Sequence, residues 1–322
     1  MKMQRFGASA ALVVVGALAL SACGGQADAG SNGSTGGAAA VSGSIASDGS
    51  STVGPLTSAA AELFMTENPG VNITVGTSGT GGGFKKFCEG QTQISNASRP
   101  IKDEEKAACA AKGIEYQEIV VANDALTVVA NKDNSFLKCL TVEELKKLWE
   151  PAATGKVMKW NQVNSSFPAE DIRLFGPGTD SGTFDYFTAE INGEEGASRT
   201  DYEPSEDDNV IVQGVSGDKN ASGYFGFTYF EENVEALKAV EVDNGNGCVA
   251  PSAEAARDGS YAPLSRPLYI YIDKKAWASN PALKAFATFY VENDAKVAEA
   301  AKYIPLSDEQ KKTAQEELTA LG

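Results

Sequence analysis

Ser44-Ile-Ala-Ser-Asp-Gly-Ser-Ser-Thr52 passes from a strand-like segment into a turn of Gly, Ser and Thr, and Pro55 then sits in the first turn of a helix-like segment that reaches Glu67. Proline suits that position because the first helical N–H has no intrahelical acceptor. The same order recurs twice. Val71–Thr77 alternates like a strand and enters Ser78-Gly-Thr-Gly-Gly-Gly83, and Ile172–Gly176 leads into Asp180-Ser-Gly-Thr183; each turn precedes a further helix-like run. Alternating strands and helices predict an α/β architecture with a mainly parallel sheet. In open sheets of that kind ligands bind where strands hand over to helices. A helix start offers unpaired N–H groups and partial positive charge, glycine lets an anion approach the backbone, and hydroxyls add donors. One such turn is equally well read as ordinary capping. Three in one chain point to a converging oxyanion pocket.

The rest of the chain fits the same class. Ile94–Arg99 is extended and stops at Pro100, Asp103–Lys112 reads as a helix closed by Gly113, and Ile114–Ala122 as an apolar strand. Asn123-Asp124 separates it from another strand, Ala125–Asn131, and Thr141 caps a helix Val142–Glu150. Tyr224–Tyr229 and Arg266–Ile272 are strand-like, and Asn280–Glu292 and Asp308–Leu321 are terminal helices. The acidic run Glu203–Asp208 is expected as a solvated loop, and Trp149, Trp160 and Trp277 as core packing.

At the N-terminus Lys2 and Arg5 precede an apolar run, Ala10–Leu20, that is too short to span a bilayer. Leu20-Ser-Ala-Cys23 then has the form of a lipoprotein processing site. The expectation is a signal peptide over 1–22, lipid on Cys23 and a flexible tether over 23–43, where Gly, Ser, Ala and Asn leave little to bury. Four further cysteines suit two disulfides in an exported protein. The short separation favours Cys88–Cys109, and elimination leaves Cys139–Cys248. The chain has no histidine, which excludes Ser-His-Asp and Cys-His catalysis and His-ligated metals. No CxxC or other metal-ligand pattern occurs, and no cofactor is expected. A net charge of −16 argues against nucleic acid as a partner. It also means that an anion site must work through local dipoles and hydrogen bonds.

Five segments together carry a resemblance: Ser47-Asp-Gly-Ser-Ser-Thr-Val53, Gly76-Thr-Ser-Gly-Thr-Gly-Gly-Gly-Phe84, Ile94-Ser-Asn-Ala-Ser-Arg-Pro-Ile101, Gly176-Pro-Gly-Thr-Asp-Ser-Gly-Thr-Phe184 and Gly223-Tyr-Phe-Gly-Phe227. In this order they resemble the PstS family of phosphate-binding proteins of bacterial ABC transporters, over roughly Ser44 to the C-terminus. The resemblance implies a type II periplasmic-binding-protein fold, two α/β lobes joined by two crossing strands with the ligand between them. It implies a discontinuous first lobe, 44–123 plus 263–322, a second lobe, 124–262, and hinges at Asn123-Asp124 and near Pro263.

The phosphate-binding residues that the resemblance implies are Ser50, Ser51 and Thr52 in the first turn, Ser78 and Thr80 in the second, and Ser181, Gly182 and Thr183 in the third. The charged positions depart from the family pattern. Arg99 stands where an Asp is usual, Pro177 where an Arg is usual, and Asp180 directly precedes the third turn. Arg99 is thus the expected guanidinium donor and Asp180 the expected acceptor of the phosphate proton, with Asp48 a second candidate. Such a carboxylate would exclude sulfate, which has no proton to give. The implied role is extracytoplasmic capture of inorganic phosphate and delivery to the membrane permease of an ABC transporter. The protein would be non-enzymatic, monomeric and lipid-anchored to the outer face of the cytoplasmic membrane. The alternatives are another oxyanion, sulfate or molybdate, and a secreted phosphatase of related fold.

Overall fold

The computed structural model describes residues 41–322. The signal peptide, Cys23 and nearly all of the tether lie outside the described residues.

Among the described residues twelve strands build the sheets: β1 Gly43–Gly49, β2 Val71–Gly76, β3 Ile94–Ala97, β4 Tyr116–Asn131, β5 Cys139–Thr141, β6 Arg173–Pro177, β7 Glu203–Ser205, β8 Ala221–Gly226, β9 Leu237–Ala239, β10 Glu241–Asp243, β11 Cys248–Val249 and β12 Ser265–Asp273. The main sheet runs β2-β1-β3-β12-β4-β8-β6-β7, with β9 also paired to β4; β11-β10-β5 form a small second sheet. The main sheet is mixed rather than mainly parallel. β1, β2 and β3 pair in parallel, as do β6, β7 and β8. The two long strands β4 and β12 run antiparallel to each other and to their neighbours β3 and β8.

β4 is continuous through Asn123-Asp124, where the sequence suggested a break. The two polar residues remain in the strand because both are satisfied there. Asn123 exchanges backbone hydrogen bonds with Ile304, and its side chain bonds reciprocally with Gln310 at 3.0 and 2.9 Å. Asp124 faces Arg266 across the β4–β12 ladder.

The apolar cores fall into two groups at opposite ends of the main sheet. One joins Ile45, Leu56, Phe64, Ile94, Leu268, Phe286 and Tyr290, with a satellite of Phe84, Phe87, Tyr269 and Tyr271. The other joins Leu126, Trp149, Trp160, Leu174, Tyr224, Leu264 and Ile304, with a satellite of Val129, Ile211, Val215 and Phe225. β4 and β12 link the two lobes. The three tryptophans are core residues, 0 to 4 % exposed, and Tyr224 stacks on Phe187 at 3.8 Å. Burying each such ring stabilises the fold by about 1.5–3 kcal/mol.

Both disulfides form as expected. Cys88–Cys109 ties the helix Thr80–Cys88 to the helix Asp103–Ala111, and Cys139–Cys248 ties the two edges of the small sheet. By loop length, 21 and 109 residues, they restrict the unfolded chain by about 3 and about 5 kcal/mol.

Two local expectations change. The aromatic run Tyr224–Tyr229 splits: β8 ends at Gly226 and a helix takes Phe227–Glu231. The acidic run is not simply a loop, because β7 takes Glu203–Ser205 and Asp207 caps a helix over Asp208–Gly217. No helix among the described residues is long and apolar enough to cross a membrane.

Candidate anion-binding cleft

The first turn is built by a glycine that nothing else could replace. Gly49 has φ +145°, and a β-carbon there would lie 2.1 Å from the Asn96 carbonyl oxygen. That approach lets the Ser50 N–H donate to the same carbonyl at 3.0 Å. The chain then turns into the helix Val53–Glu67, and the Ser50 hydroxyl accepts from the Thr52 and Val53 N–H groups. The second turn uses Gly79 at φ +78° to open the helix Thr80–Cys88. Gly83 of that helix packs against Gly49, where a β-carbon would come within 2.4 Å of the Gly49 Cα. The third turn opens the helix Gly182–Phe187, with the Ser181 hydroxyl accepting from the Thr183 N–H at 3.2 Å.

A cavity of about 660 Å³ brings these turns together, lined by Ser50, Ser51, Thr52, Ser78, Thr80 and Arg99 from one side and by Gly182 from the other. Ser181 and Thr183 flank Gly182 without lining the cavity themselves, and Asp180 is exposed, outside the lining. The Asp180 N–H donates to the Glu206 carboxylate at 3.3 Å. The first and third turns meet closely: a β-carbon on Gly182 would lie 2.7 Å from the Thr52 Oγ1 and 2.8 Å from the Ser51 Oγ.

Several of the candidate side chains are engaged by neighbours. Both terminal nitrogens of Arg99 donate to the Glu105 carboxylate at 2.8 Å. That pair raises the guanidinium and, against the upward push of burial, holds Glu105 below the ordinary carboxylate range. Ser78 donates to Asp48 from both its hydroxyl and its N–H, and Lys86 pairs with the same carboxylate at 2.6 Å. Burial pushes Asp48 up, but Lys86 and Ser78 outweigh it and the net shift is downward.

Among the cavity residues that lay beyond sequence reasoning are Arg266, Asp185 and Tyr186. Arg266 leaves β12 beside the cavity with its guanidinium 3.5 Å from the centre of the Tyr186 ring. It donates to the Asp124 carboxylate at 3.3 Å, the Ser98 carbonyl at 3.3 Å and the Thr52 Oγ1 at 3.2 Å. Tyr186 is fixed in turn, its hydroxyl donating to the Pro263 carbonyl at 2.6 Å. Burial pushes the Asp124 carboxyl up, with Arg266 opposing. Asp185 is half-buried in the first turn of its helix. Burial raises its carboxyl, Glu195 raises it further, and Arg266 opposes both. An acidic residue two positions beyond the third turn was a usable signal for Asp185; Arg266 had none nearby.

Chemically, the arrangement offers hydroxyls, helix-start N–H groups and two braced guanidiniums, those of Arg99 and Arg266, to a small anion. Among the described residues the one grouping of metal-ligand side chains is Cys139, Glu241 and Cys248, and its cysteines are spent in a disulfide.

Comparison with known proteins agrees with this geometry. A model described as a PBP superfamily domain matches residues 34–294. Protein SphX of Synechocystis sp. is 52 % identical over 83 % of this chain and 79 % of its own length. The phosphate-binding protein PstS of Staphylococcus saprophyticus is 42 % identical over 95 % of this chain and 90 % of its own length. The crystal structure of a possible phosphate binding protein from Planctomyces limnophilus shares 46 % of its sequence with this chain, covers 87 % of this chain and 99 % of its own, and superposes with a TM-score of 0.81. The chain therefore belongs to the PBP superfamily and, within it, to the PstS family of phosphate-binding proteins.

Proposed function

We propose that this protein captures inorganic phosphate outside the cytoplasm and delivers it to the permease of a phosphate ABC transporter. The observation that carries this reading is the meeting of two helix starts, where Gly182 of one turn closes on Ser51 and Thr52 of the other. Each supplies donors to one small volume, so an anion held between them favours the closed arrangement over an open one.

In this reading the lobes are 44–123 plus 263–322 and 124–262, and β4 and β12 are the hinge. Ser50, Ser51, Thr52 and Thr80 donate from the first lobe, joined by Ser78 when the ligand draws its hydroxyl away from Asp48, and the turn Ser181-Gly182-Thr183 donates from the second. Arg99 contributes positive charge at the rim, and Asp180 extends the third turn. The protein acts as a monomer and as a binder, not an enzyme. Two disulfides accord with an oxidising compartment. Lipid on Cys23 holds the protein at the outer face of the cytoplasmic membrane, and Cys23→Ser should abolish both fatty-acid labelling and membrane retention.

Calorimetric titration of the phosphate-stripped mature protein tests the reading, first with phosphate and then with sulfate at neutral pH. One-to-one phosphate binding with no sulfate response is expected. Binding of sulfate or molybdate in preference to phosphate would overturn it, as would turnover of a phosphoester.

A further inference from the structure

We propose that the charged pair deciding which oxyanion this site takes is Arg266, from the crossing strand β12, together with Asp185, from the helix that closes the cleft. The inference deepens the phosphate reading above and rests on it.

Arg266 is placed as a donor. Its side chain is 14 % exposed, and it lines the cavity formed by the three turns. Four of its five N–H groups have partners: two face the Asp124 carboxylate, one the Ser98 carbonyl and one the Thr52 hydroxyl. The fifth remains for a ligand. The Ser98 and Thr52 contacts are at 3.2–3.3 Å, long enough for an anion oxygen to displace them. Asp124 and the Tyr186 ring hold the planar fork from two sides, so little side-chain freedom is left to lose on binding. Arg99 is also partnered, donating twice to the Glu105 carboxylate at 2.8 Å and once to the Pro100 carbonyl at 3.1 Å, but its side chain is 32 % exposed and so less desolvated than that of Arg266.

Asp185 is placed as an acceptor. It lies three residues beyond Gly182, on the helix face that Gly182 turns to Thr52. Two other carboxylates line the cavity, Glu190 and Glu195, but both are exposed whereas Asp185 is half-buried. At neutral pH inorganic phosphate retains at least one proton. A P–OH directed at Asp185 would donate to it, while the remaining oxygens take the Arg266 and helix-start donors. Sulfate has no proton, so its oxygens would face the Asp185 lone pairs with no bond to gain. Asp180, exposed and outside the lining, has no comparable access.

Arg266→Lys and Asp185→Asn decide the matter by calorimetry with inorganic phosphate and with sulfate, on phosphate-stripped mature protein with the wild type alongside. Arg266→Lys keeps the charge and loses the fork, and its phosphate affinity should fall about ten- to a hundredfold. Asp185→Asn replaces an acceptor by a group that also donates. It should weaken phosphate by a similar factor and give the protein measurable sulfate binding. Wild-type phosphate affinity in both variants, with sulfate still excluded, overturns the inference. Should Arg266→Lys fail to fold, unchanged sulfate exclusion by Asp185→Asn overturns it alone. A wild type that does not bind phosphate at all refutes the phosphate reading instead, which separates the two failures.

Discussion

Gly182 stands so close to Thr52 that a β-carbon on the one would reach within 2.7 Å of the hydroxyl oxygen of the other, across the cleft between the lobes. Gly182 is the first residue of its helix and has no positive φ. Alanine would therefore favour the helix itself, by up to about 1 kcal/mol. Any loss in Gly182→Ala must come from the contact across the cleft. The expected result is an unliganded melting temperature equal to or above wild type with phosphate affinity lowered at least about tenfold, since the clash is with the buried Thr52 and the half-buried Ser51. Calorimetry and thermal melting on the same sample check both signs. Undiminished affinity would mean that the two helix starts need not meet around the ligand.

A second close relationship concerns stability alone. Arg199 is 2 % exposed and donates to the Leu148 and Val157 carbonyls at 2.9 and 3.2 Å and to both oxygens of Asp201 at 2.7 and 2.9 Å. The Arg199 hydrogen bonds are the largest cause of an Asp201 pKa pulled down to about 2. A carboxyl lowered on folding stabilises the native state above its unfolded pKa, 3.8, and loses that contribution as pH falls through about 2. Asp201→Asn should therefore cost about 1.5–3 kcal/mol at pH 7, the range for hydrogen bonds to charged groups. The gap to wild type should narrow between about pH 4 and pH 2, the interval between the two pKa values. Denaturant unfolding at both ends of that range measures it; a gap independent of pH would show that the ion pair is not its source.

The three turns could be read in the sequence because their chemistry is local. Glycine at a strand end followed by Ser or Thr specifies both the backbone turn and the donors, so Ser50, Ser78 and Ser181 could be placed beside helix starts without the fold. The disulfide pairing was nearly as accessible, since Cys88 and Cys109 are separated by so little chain. Arg266 could not be found this way. In a strand-like run before Pro267 it has no distinguishing neighbour, and it meets Asp124, 142 residues away, only because β4 and β12 cross side by side. Arg99, in a polar loop, carried the better local signal, and no sequence feature announced that Glu105 would pair with both of its terminal nitrogens. The continuity of β4 was hidden for a similar reason. The Asn123 and Asp124 partners, Ile304, Gln310 and Arg266, all come from the far end of the chain.

Asp208 turns an electrostatic cost into a measurable one. It opens the helix Asp208–Gly217 directly after Asp207, whose side chain caps that helix by accepting from the Asn209 N–H at 2.9 Å. Burial, then the charges of Asp207 and Glu206, raise the Asp208 carboxyl to about 6. The helix start favours negative charge there, but the capping carboxylate of Asp207 already answers it. The sign is opposite to that of Asp201. A carboxyl raised on folding holds a proton in the native state between pH 3.8 and about 6 while the unfolded chain has lost it, so stability is lost as pH rises through that interval, the full cost stands above it, and lowering the pH from about 6 to 3.8 progressively relieves it. Asp208→Asn removes the charge and keeps the shape. It should stabilise the protein at pH 8 by about 1–2 kcal/mol, allowing for screening of a half-buried group. That corresponds to about 2–4 °C in melting temperature for a chain of this size. At pH 4.5 the native carboxyl is largely protonated while the unfolded one is still largely ionised, so the advantage should fall to about a third of its pH 8 value and vanish only below 3.8. Melting curves of both proteins at pH 8, 6 and 4.5 make the comparison. An equal gain at every pH would trace the effect to helix propensity or packing, and a loss at pH 8 would mean that the negative charge serves the helix start more than burial penalises it.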